Sequence, residues 1–258
     1  MAAAPSIVWF RRDLRVSDHT ALHRAAAEGA PVAPVFVFDP AILQAKDLGI
    51  RRPAYLYACL ESLAANLQSI GSHLIVRKGH PEIELAALAK EIGAKKMFYN
   101  KDVEPYSRKR DEKVEKTLRS MGVEIVSCDD LLIHPPGKVQ RAAGGPYTVF
   151  TPYSRSWLSL PPHDPLPKPR QLTPVRGIKA LPLPPAKQVG IQPSDISLPP
   201  AGEKAARDAL RSFAAKNLRH YAERRNYPLE DATSRLSRSE EHTSELQSRQ
   251  YLVCRLLL

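Results

Sequence analysis

The sequence predicts an α/β fold, a doubly wound five-stranded parallel sheet, from three observations. Short apolar, β-rich runs alternate with helical stretches through the first half of the chain, which is the pattern of a sheet covered on both faces. The helical stretches carry an apolar residue every three or four positions. A glycine stands between several of those stretches and the run that follows, where a helix needs a left-handed terminus.

The elements follow in order. Ile7-Val8-Trp9-Phe10 is a buried strand, and Val32-Ala-Pro-Val-Phe-Val-Phe38 is a second, with Pro34 a mild objection to a central position. Leu74-Ile75-Val76, Lys96-Met97-Phe98-Tyr99 and Val123-Glu124-Ile125-Val126 supply the third, fourth and fifth. One helix presents Leu56, Leu60, Leu63, Leu67 and Ile70 as a stripe, and the next presents Ile83, Leu85, Leu88 and Ile92. Gly71, Gly93 and Gly122 are the expected helix terminators.

Composition bounds the function. With 258 residues and 43% hydrophobic content the chain can bury a core of one large or two small domains. Thirty-eight basic against 27 acidic residues give a net charge of +11, which favours a polyanionic partner. No run approaches the roughly 18 apolar residues of a membrane span, and the first residues lack a secretory pattern, so a soluble cytoplasmic protein is expected. Cys59, Cys128 and Cys254 show no CxxC or Cys/His spacing, so neither a disulfide framework nor a metal site is indicated.

Between residues 159 and 200 the periodicity lapses, and this stretch holds half of the chain's 24 prolines. It reads as a semi-stiff linker that wraps over a domain surface. A helical pattern resumes over 202–225, with Ala206, Leu210, Phe213, Ala214, Leu218 and Tyr221 on one face. Too little chain follows for an independent core, so Leu210, Phe213 and Leu218 are expected to be exposed or loosely docked. The segment 238–248, Arg-Ser-Glu-Glu-His-Thr-Ser-Glu-Leu-Gln-Ser, resembles the translation of a sequencing-library adapter, and 238–258 reads as non-native. A genuine polar tail is the alternative.

No GxGxxG and no GxxxxGK[ST] is present, so neither an ordinary dinucleotide site nor an NTPase loop is supported. Ligands of open α/β sheets sit outside the carboxyl ends of the strands. Those ends are Arg11-Arg-Asp-Leu-Arg15, Asp39-Pro40 and Asn100-Lys-Asp-Val-Glu-Pro105. The charges of the first can simply pair within the molecule and fix its loop.

At these loops a resemblance emerges. Ile7-Val-Trp-Phe-Arg-Arg-Asp-Leu-Arg-Val-Ser-Asp18, Phe38-Asp-Pro40, Asn100-Lys-Asp-Val-Glu-Pro-Tyr106, His134-Pro-Pro-Gly137 and Tyr147-Thr-Val-Phe-Thr-Pro-Tyr153 resemble the amino-terminal domain of the DNA photolyase and cryptochrome family. The likeness runs from about residue 6 to 237. It implies an α/β antenna domain over 1–130, a wrapping linker over 131–200, and over 201–237 the first helices of a truncated all-α domain that binds FAD.

The resemblance further implies roles for particular residues. Tyr221-Ala-Glu-Arg-Arg-Asn-Tyr-Pro228 and Thr233-Ser-Arg-Leu-Ser237 match the family's opening FAD segment, so Tyr221 would touch the flavin nucleotide. Thr233, Ser234, Arg235, Leu236 and Ser237 would meet its diphosphate, for which hydroxyls, backbone N–H groups and a guanidinium are suitable donors. Taken alone, Thr-Ser-Arg is an ordinary helix N-cap. Arg225 matches a position that meets the DNA backbone, or is a solvated helix charge.

An antenna chromophore would lie near Asp39, Arg51, Asp102 and Glu104. A deazaflavin (8-HDF) is preferred to methenyltetrahydrofolate, although Tyr106 and Ser107 stand where folate binders place an amide and a carboxylate. Alternatively, Asp102 and Glu104 pair with Arg108 or Lys109. Trp9 and Trp157 read as core residues rather than members of an electron relay.

The function expected is that of an amino-terminal fragment of a deoxyribodipyrimidine photolyase. The enzyme would use light and FAD to repair cyclobutane pyrimidine dimers in UV-damaged DNA. The fragment itself, a monomer, would be inactive. A cryptochrome light receptor and a stand-alone flavodoxin-like nucleotide-binding module are the alternatives.

Overall fold

Five parallel strands form one sheet in the computed structural model of the chain, which describes residues 3–45, 48–178, 181–192, 197–227 and 229–234. The strands are β1 (Ser6–Phe10), β2 (Val32–Phe38), β3 (Ile75–Lys78), β4 (Lys96–Asn100) and β5 (Glu124–Cys128), in the order β3-β2-β1-β4-β5. The chain builds outward from β1 on one side and then returns to lay β4 and β5 on the other. The change of direction at β1 and β4 opens a crevice at their carboxyl ends.

Strand side chains alternate between the two faces. Val8 and Phe10 join one core with Leu22 of α1 (Thr20–Ala27) and Leu56, Leu60, Leu63 and Leu67 of α3 (Arg51–Gln68). Ile7 and Trp9 join the opposite core with Leu85 and Leu88 of α4 (Pro81–Ile92) and Val114 and Leu118 of α5 (Pro105–Ser120). A one-turn helix, α2 (Pro40–Leu43), follows β2 directly. Each large side chain so enclosed contributes about 1.5–3 kcal/mol relative to exposure.

Pro34 is accommodated by register. Val32 donates its N–H to Thr173 O (2.8 Å), away from β1, and alternate residues of a strand point the same way. The missing N–H of Pro34 therefore faces an edge that β3 reaches only at Val35↔Ile75.

Three expectations need correction. Ile83 is 59% exposed, because it lies in the first turn of α4, off the stripe set by Leu85, Leu88 and Ala89. The single helix expected over 202–225 is broken at Asn217 into α7 (Glu203–Lys216), a 3-10 turn at Leu218–His220 and the short α8 (Tyr221–Arg224). Leu210 and Phe213, expected to be loose, are each 4% exposed, and only Leu218 stays accessible.

Several contacts dock α7 on the α/β layer. Glu203 Oε2 accepts from Val16 N (3.0 Å), and Gly202, at φ +90°, lies so close to Ser62 that a Cβ would overlap its side chain. Upstream, described residues of the stretch 160–200 pack on the same layer. Tyr55 and Tyr57 of α3 donate to Pro200 O (3.2 Å) and Pro184 O (3.0 Å), while Leu172, Val189 and Ile191 are buried in the first core. Just before this stretch lies a helix, α6 (Phe150–Ser159), none of whose residues is fully buried. Trp157 is therefore only half-buried, edge-on to His134 at 5.0 Å, whereas Trp9 is a core residue.

Candidate functional site

In nucleotide-binding sheets the N-terminus of the first helix offers its free N–H groups to a phosphate. Here those donors are already taken. Thr20 N bonds Asp130 Oδ1 (2.9 Å), Ala21 N bonds Asn100 Oδ1 (3.0 Å) and Leu22 N bonds His19 Nδ1 (3.0 Å). Side chains from the ends of β4 and β5 thus plug the position a phosphate would occupy. The missing glycine motif and the filled helix end agree.

The loop after β1 is fixed by internal ion pairs. Arg11 bonds Asp111 (2.5 Å) and the carbonyl of Asn100, Arg15 bonds Asp130 (2.6 Å), and Asp13 lies 2.9 Å from His19 Nε2. Burial alone would raise the Asp13 carboxyl, but His19 and then Arg11 hold it well below the ordinary carboxylate range. Asp130 is depressed in the same way, with Arg15 the leading counter-charge to burial.

Beyond this locked loop, a cavity of about 160 Å³ opens at the carboxyl ends of β1 and β2. Its apolar wall is Trp9, Phe10, Phe38, Ile42, Leu43 and Leu56, and its polar wall is Asp39, Glu104, Tyr106, Ser107 and three arginines, Arg11, Arg12 and Arg110. Tyr106 donates to Asp39 Oδ2 (2.5 Å), which ties the start of α5 to the start of α2 across the cavity. Burial, reinforced by this bond to a carboxylate, keeps the Tyr106 phenol protonated well above its ordinary value. An apolar slot with a few convergent polar groups is the usual form of a site for a planar ligand.

Of the antenna candidates, Asp39 and Glu104 line this cavity. Asp39 is also the N-cap of α2, accepting from Ala41 N (3.0 Å). Asp102 sits just behind the wall, 7% exposed, accepting from Ser107 Oγ (3.0 Å) and Glu104 N (3.1 Å). The ion-pair partner of Asp102 and Glu104 is Arg12, at 3.4 and 2.9 Å, and not the expected Arg108 or Lys109. Burial would raise the Asp102 carboxyl, but Arg12, the Glu104 N–H, Arg11 and the Ser107 hydroxyl together hold it below its ordinary value. Arg51 is exposed at the first turn of α3 and is not part of the lining.

Arg110 was not singled out from the sequence. Its signal was helical spacing, since it follows Tyr106 by four positions and Ser107 by three and so shares their face of α5. Its guanidinium lies 4.9 Å from the Trp9 ring centre and 5.8 Å from that of Tyr106.

The flavin candidates lie elsewhere. Tyr221 packs edge-on against Phe213 (5.6 Å) and under the Arg225 guanidinium (5.7 Å). Thr233 is exposed and Ser234 half-buried beside the enclosed Ala232. Arg235, Leu236 and Ser237 lie outside the described residues. Among the described residues, Tyr221, Thr233 and Ser234 present a ring and two hydroxyls at or near the surface.

Comparison with known proteins places these features in context. The family model for DNA photolyase matches residues 6–170. An uncharacterized 31.6 kDa protein of Synechococcus sp. (strain PCC 6716) is 38% identical over 233 residues, covering 90% of this chain and 82% of the relative. The deoxyribodipyrimidine photo-lyase of Synechococcus sp. (strain ATCC 27144) is 35% identical over 243 residues, which cover 91% of this chain and 50% of that enzyme. Among solved structures, a class III photolyase from Agrobacterium tumefaciens superposes with a TM-score of 0.83 at 29% identity, covering 98% of this chain and 53% of the other. The chain spans about half the length of the photo-lyases it matches.

Proposed function

Because the chain belongs to the DNA photolyase family, we propose that it forms the light-gathering amino-terminal part of a deoxyribodipyrimidine photo-lyase acting on cyclobutane pyrimidine dimers in UV-damaged DNA. The observation that carries this reading is the cavity at the carboxyl ends of β1 and β2, set in a chain that aligns with half of a photo-lyase. Residues 1–130 are the antenna lobe, 131–200 the wrapping linker and 201–237 the beginning of the FAD-binding domain, with 238–258 outside the native protein. The protein is cytoplasmic and monomeric in this reading; no described helix is long and apolar enough to cross a membrane.

Within the cavity the chain's own residues bind and orient. A bound antenna chromophore, with a deazaflavin preferred to methenyltetrahydrofolate, supplies the absorption of light. Tyr106 offers its ring, Asp39 and Glu104 offer carboxylates, and the Tyr106–Asp39 bond ties α5 to α2 across the cavity. Tyr221, Thr233, Ser234, Arg235, Leu236 and Ser237 would hold part of an FAD, which would supply the electron-transfer chemistry when bound. Arg225, exposed beside Tyr221, is placed to meet a DNA phosphate. The filled N-terminus of α1 argues against a stand-alone nucleotide-binding module.

The test is a repair assay on the chain as written, supplied with FAD, a dimer-containing oligonucleotide and blue light. The dimer should remain intact, while a fusion that adds the carboxyl-terminal half of a photo-lyase relative after residue 237 should repair it. Repair by the 258-residue chain alone, or none by a folded, FAD-loaded fusion, would count against the reading.

A further inference from the structure

Arg110 is 8% exposed and lines the cavity, yet part of its guanidinium is unused. Nε and Nη2 both donate to Asp111 Oδ1, at 3.2 and 3.0 Å, whereas Nη1 bonds to none of the described residues and is not sealed from solvent. Asp111 is at the same time the partner of Arg11, which donates to both its oxygens at 2.6 and 2.5 Å. Two buried guanidinium groups therefore share one carboxylate, and both stack on Trp9, at 4.8 and 4.9 Å.

The other carboxylates around the cavity do not serve Arg110. Asp39 is occupied by Ala41 N and the Tyr106 hydroxyl, while Asp102 and Glu104 are held by Arg12. The wall thus lacks one hydrogen-bond acceptor, beside aromatic surface, at a donor that carries charge. The charge itself is paired with Asp111, but Nη1 remains open to a further acceptor, and a charge-assisted bond there is stronger than a neutral one. Burial and then the neighbouring Arg11 also disfavour the protonated form of Arg110, so a further negative group would relieve it.

We infer that the cavity takes a planar aromatic ligand bearing an oxyanion, and that Arg110 Nη1 is the group that selects for that oxyanion. The inference rests on the cavity being the chromophore site proposed above and adds what the site discriminates. The ring lies along the apolar wall beside Tyr106, and the oxyanion accepts a charge-assisted N–H···O bond from Nη1. The oxyanion can sit on the ring or on an attached phosphate.

Three probes separate these sources: 8-hydroxy-5-deazaflavin, whose ring oxygen ionises, FMN, which carries a phosphate, and riboflavin, which has the FMN ring without it. Each is titrated into the full chain and into Arg110→Gln by fluorescence. The wild-type chain should bind at least one of the first two, and Arg110→Gln should weaken that binding by roughly tenfold or more while changing riboflavin little. If the deazaflavin is the ligand, its bound form should ionise at lower pH in wild type than in Arg110→Gln. Arg110→Lys keeps the charge beside Asp111 without the forked donor, and it replaces Arg110→Gln as the readout should the latter fail to fold. Equal oxyanion affinity in the folded variant and the wild type would overturn the inference and leave the chromophore site standing. No binding of any probe to the wild-type chain would overturn both.

Discussion

His19 caps α1 through ring nitrogen Nδ1, which accepts from Leu22 N at 3.0 Å, while its Nε2 lies 2.9 Å from the Asp13 carboxylate. The first contact requires Nδ1 to be unprotonated, so the ring proton sits on Nε2 and is donated to Asp13. One residue therefore joins the end of the first helix to the loop after β1. Removing it leaves the Leu22 N–H without its acceptor and strips the ring contact from the buried Asp13 carboxylate, which keeps Arg11 N (2.9 Å) and Asn100 Nδ2 (2.6 Å). His19→Ala should lower stability by about 3 kcal/mol, read as a fall in thermal midpoint by circular dichroism. A midpoint unchanged from wild type would show that the contact is energetically neutral.

Acid should act on the same region. The Asp13 and Asp130 carboxyls are held below their ordinary values in the folded chain, so the unfolded chain takes up protons first as pH falls below about 4. Their stabilising contribution is complete above that pH and is lost as pH falls toward the folded-state values. Urea midpoints measured from pH 6 down to pH 3 should decline in wild type and decline less in Asp130→Asn, which starts lower. Parallel curves would exclude Asp130 from the acid response.

Docking of α7 depends on a backbone approach. Gly202 has φ +90°, and a Cβ there would overlap the Ser62 side chain on α3. Gly202→Ala should detach the start of α7, break the Glu203 to Val16 contact and increase protease cleavage within 203–216. The change falls on a local unit, so the α/β layer should melt within about 1 kcal/mol of wild type. Unaltered cleavage would mean that α7 is held by Leu210 and Phe213 alone.

Tyr106→Phe removes the bond to Asp39 without altering the ring. We expect a loss of about 1 kcal/mol at neutral pH, and faster chromophore association because the cavity mouth is no longer tied. The phenol's raised pKa gives a stabilising contribution that is present below about pH 10 and lost as pH rises through the folded-state value. Stopped-flow association rates identical in the two proteins would assign the bond no gating role.

The architecture was legible because strand runs and helical stripes are local signals. Leu56, Leu60, Leu63, Leu67 and Ile70 are all buried, and Gly71, Gly93 and Gly122 all adopt the left-handed backbone the helix ends require. What was not legible depends on distant partners. Arg12 pairs with Asp102 and Glu104 some 90 positions away, which no spacing rule connects, so nearby Arg108 and Lys109 looked equally suitable. Leu210 and Phe213 seemed unpartnered because their contacts belong to a surface formed far earlier in the chain. Trp157 reads as core by residue type, yet lies on a helix that buries none of its residues. Arg110 stood in a charged run, where only its position relative to Tyr106 distinguished it from its exposed neighbours.

In the function proposed above, this chain houses the antenna chromophore and only the margin of the flavin site. The most direct measurement is ligand stoichiometry after the purified chain is incubated with FAD, 8-hydroxy-5-deazaflavin and methenyltetrahydrofolate and then passed through a desalting column. About one antenna chromophore per chain should be retained, on the one-cavity stoichiometry of such sites, with FAD washed away. FAD retained one-to-one, with the α/β cavity empty of chromophore, would contradict it.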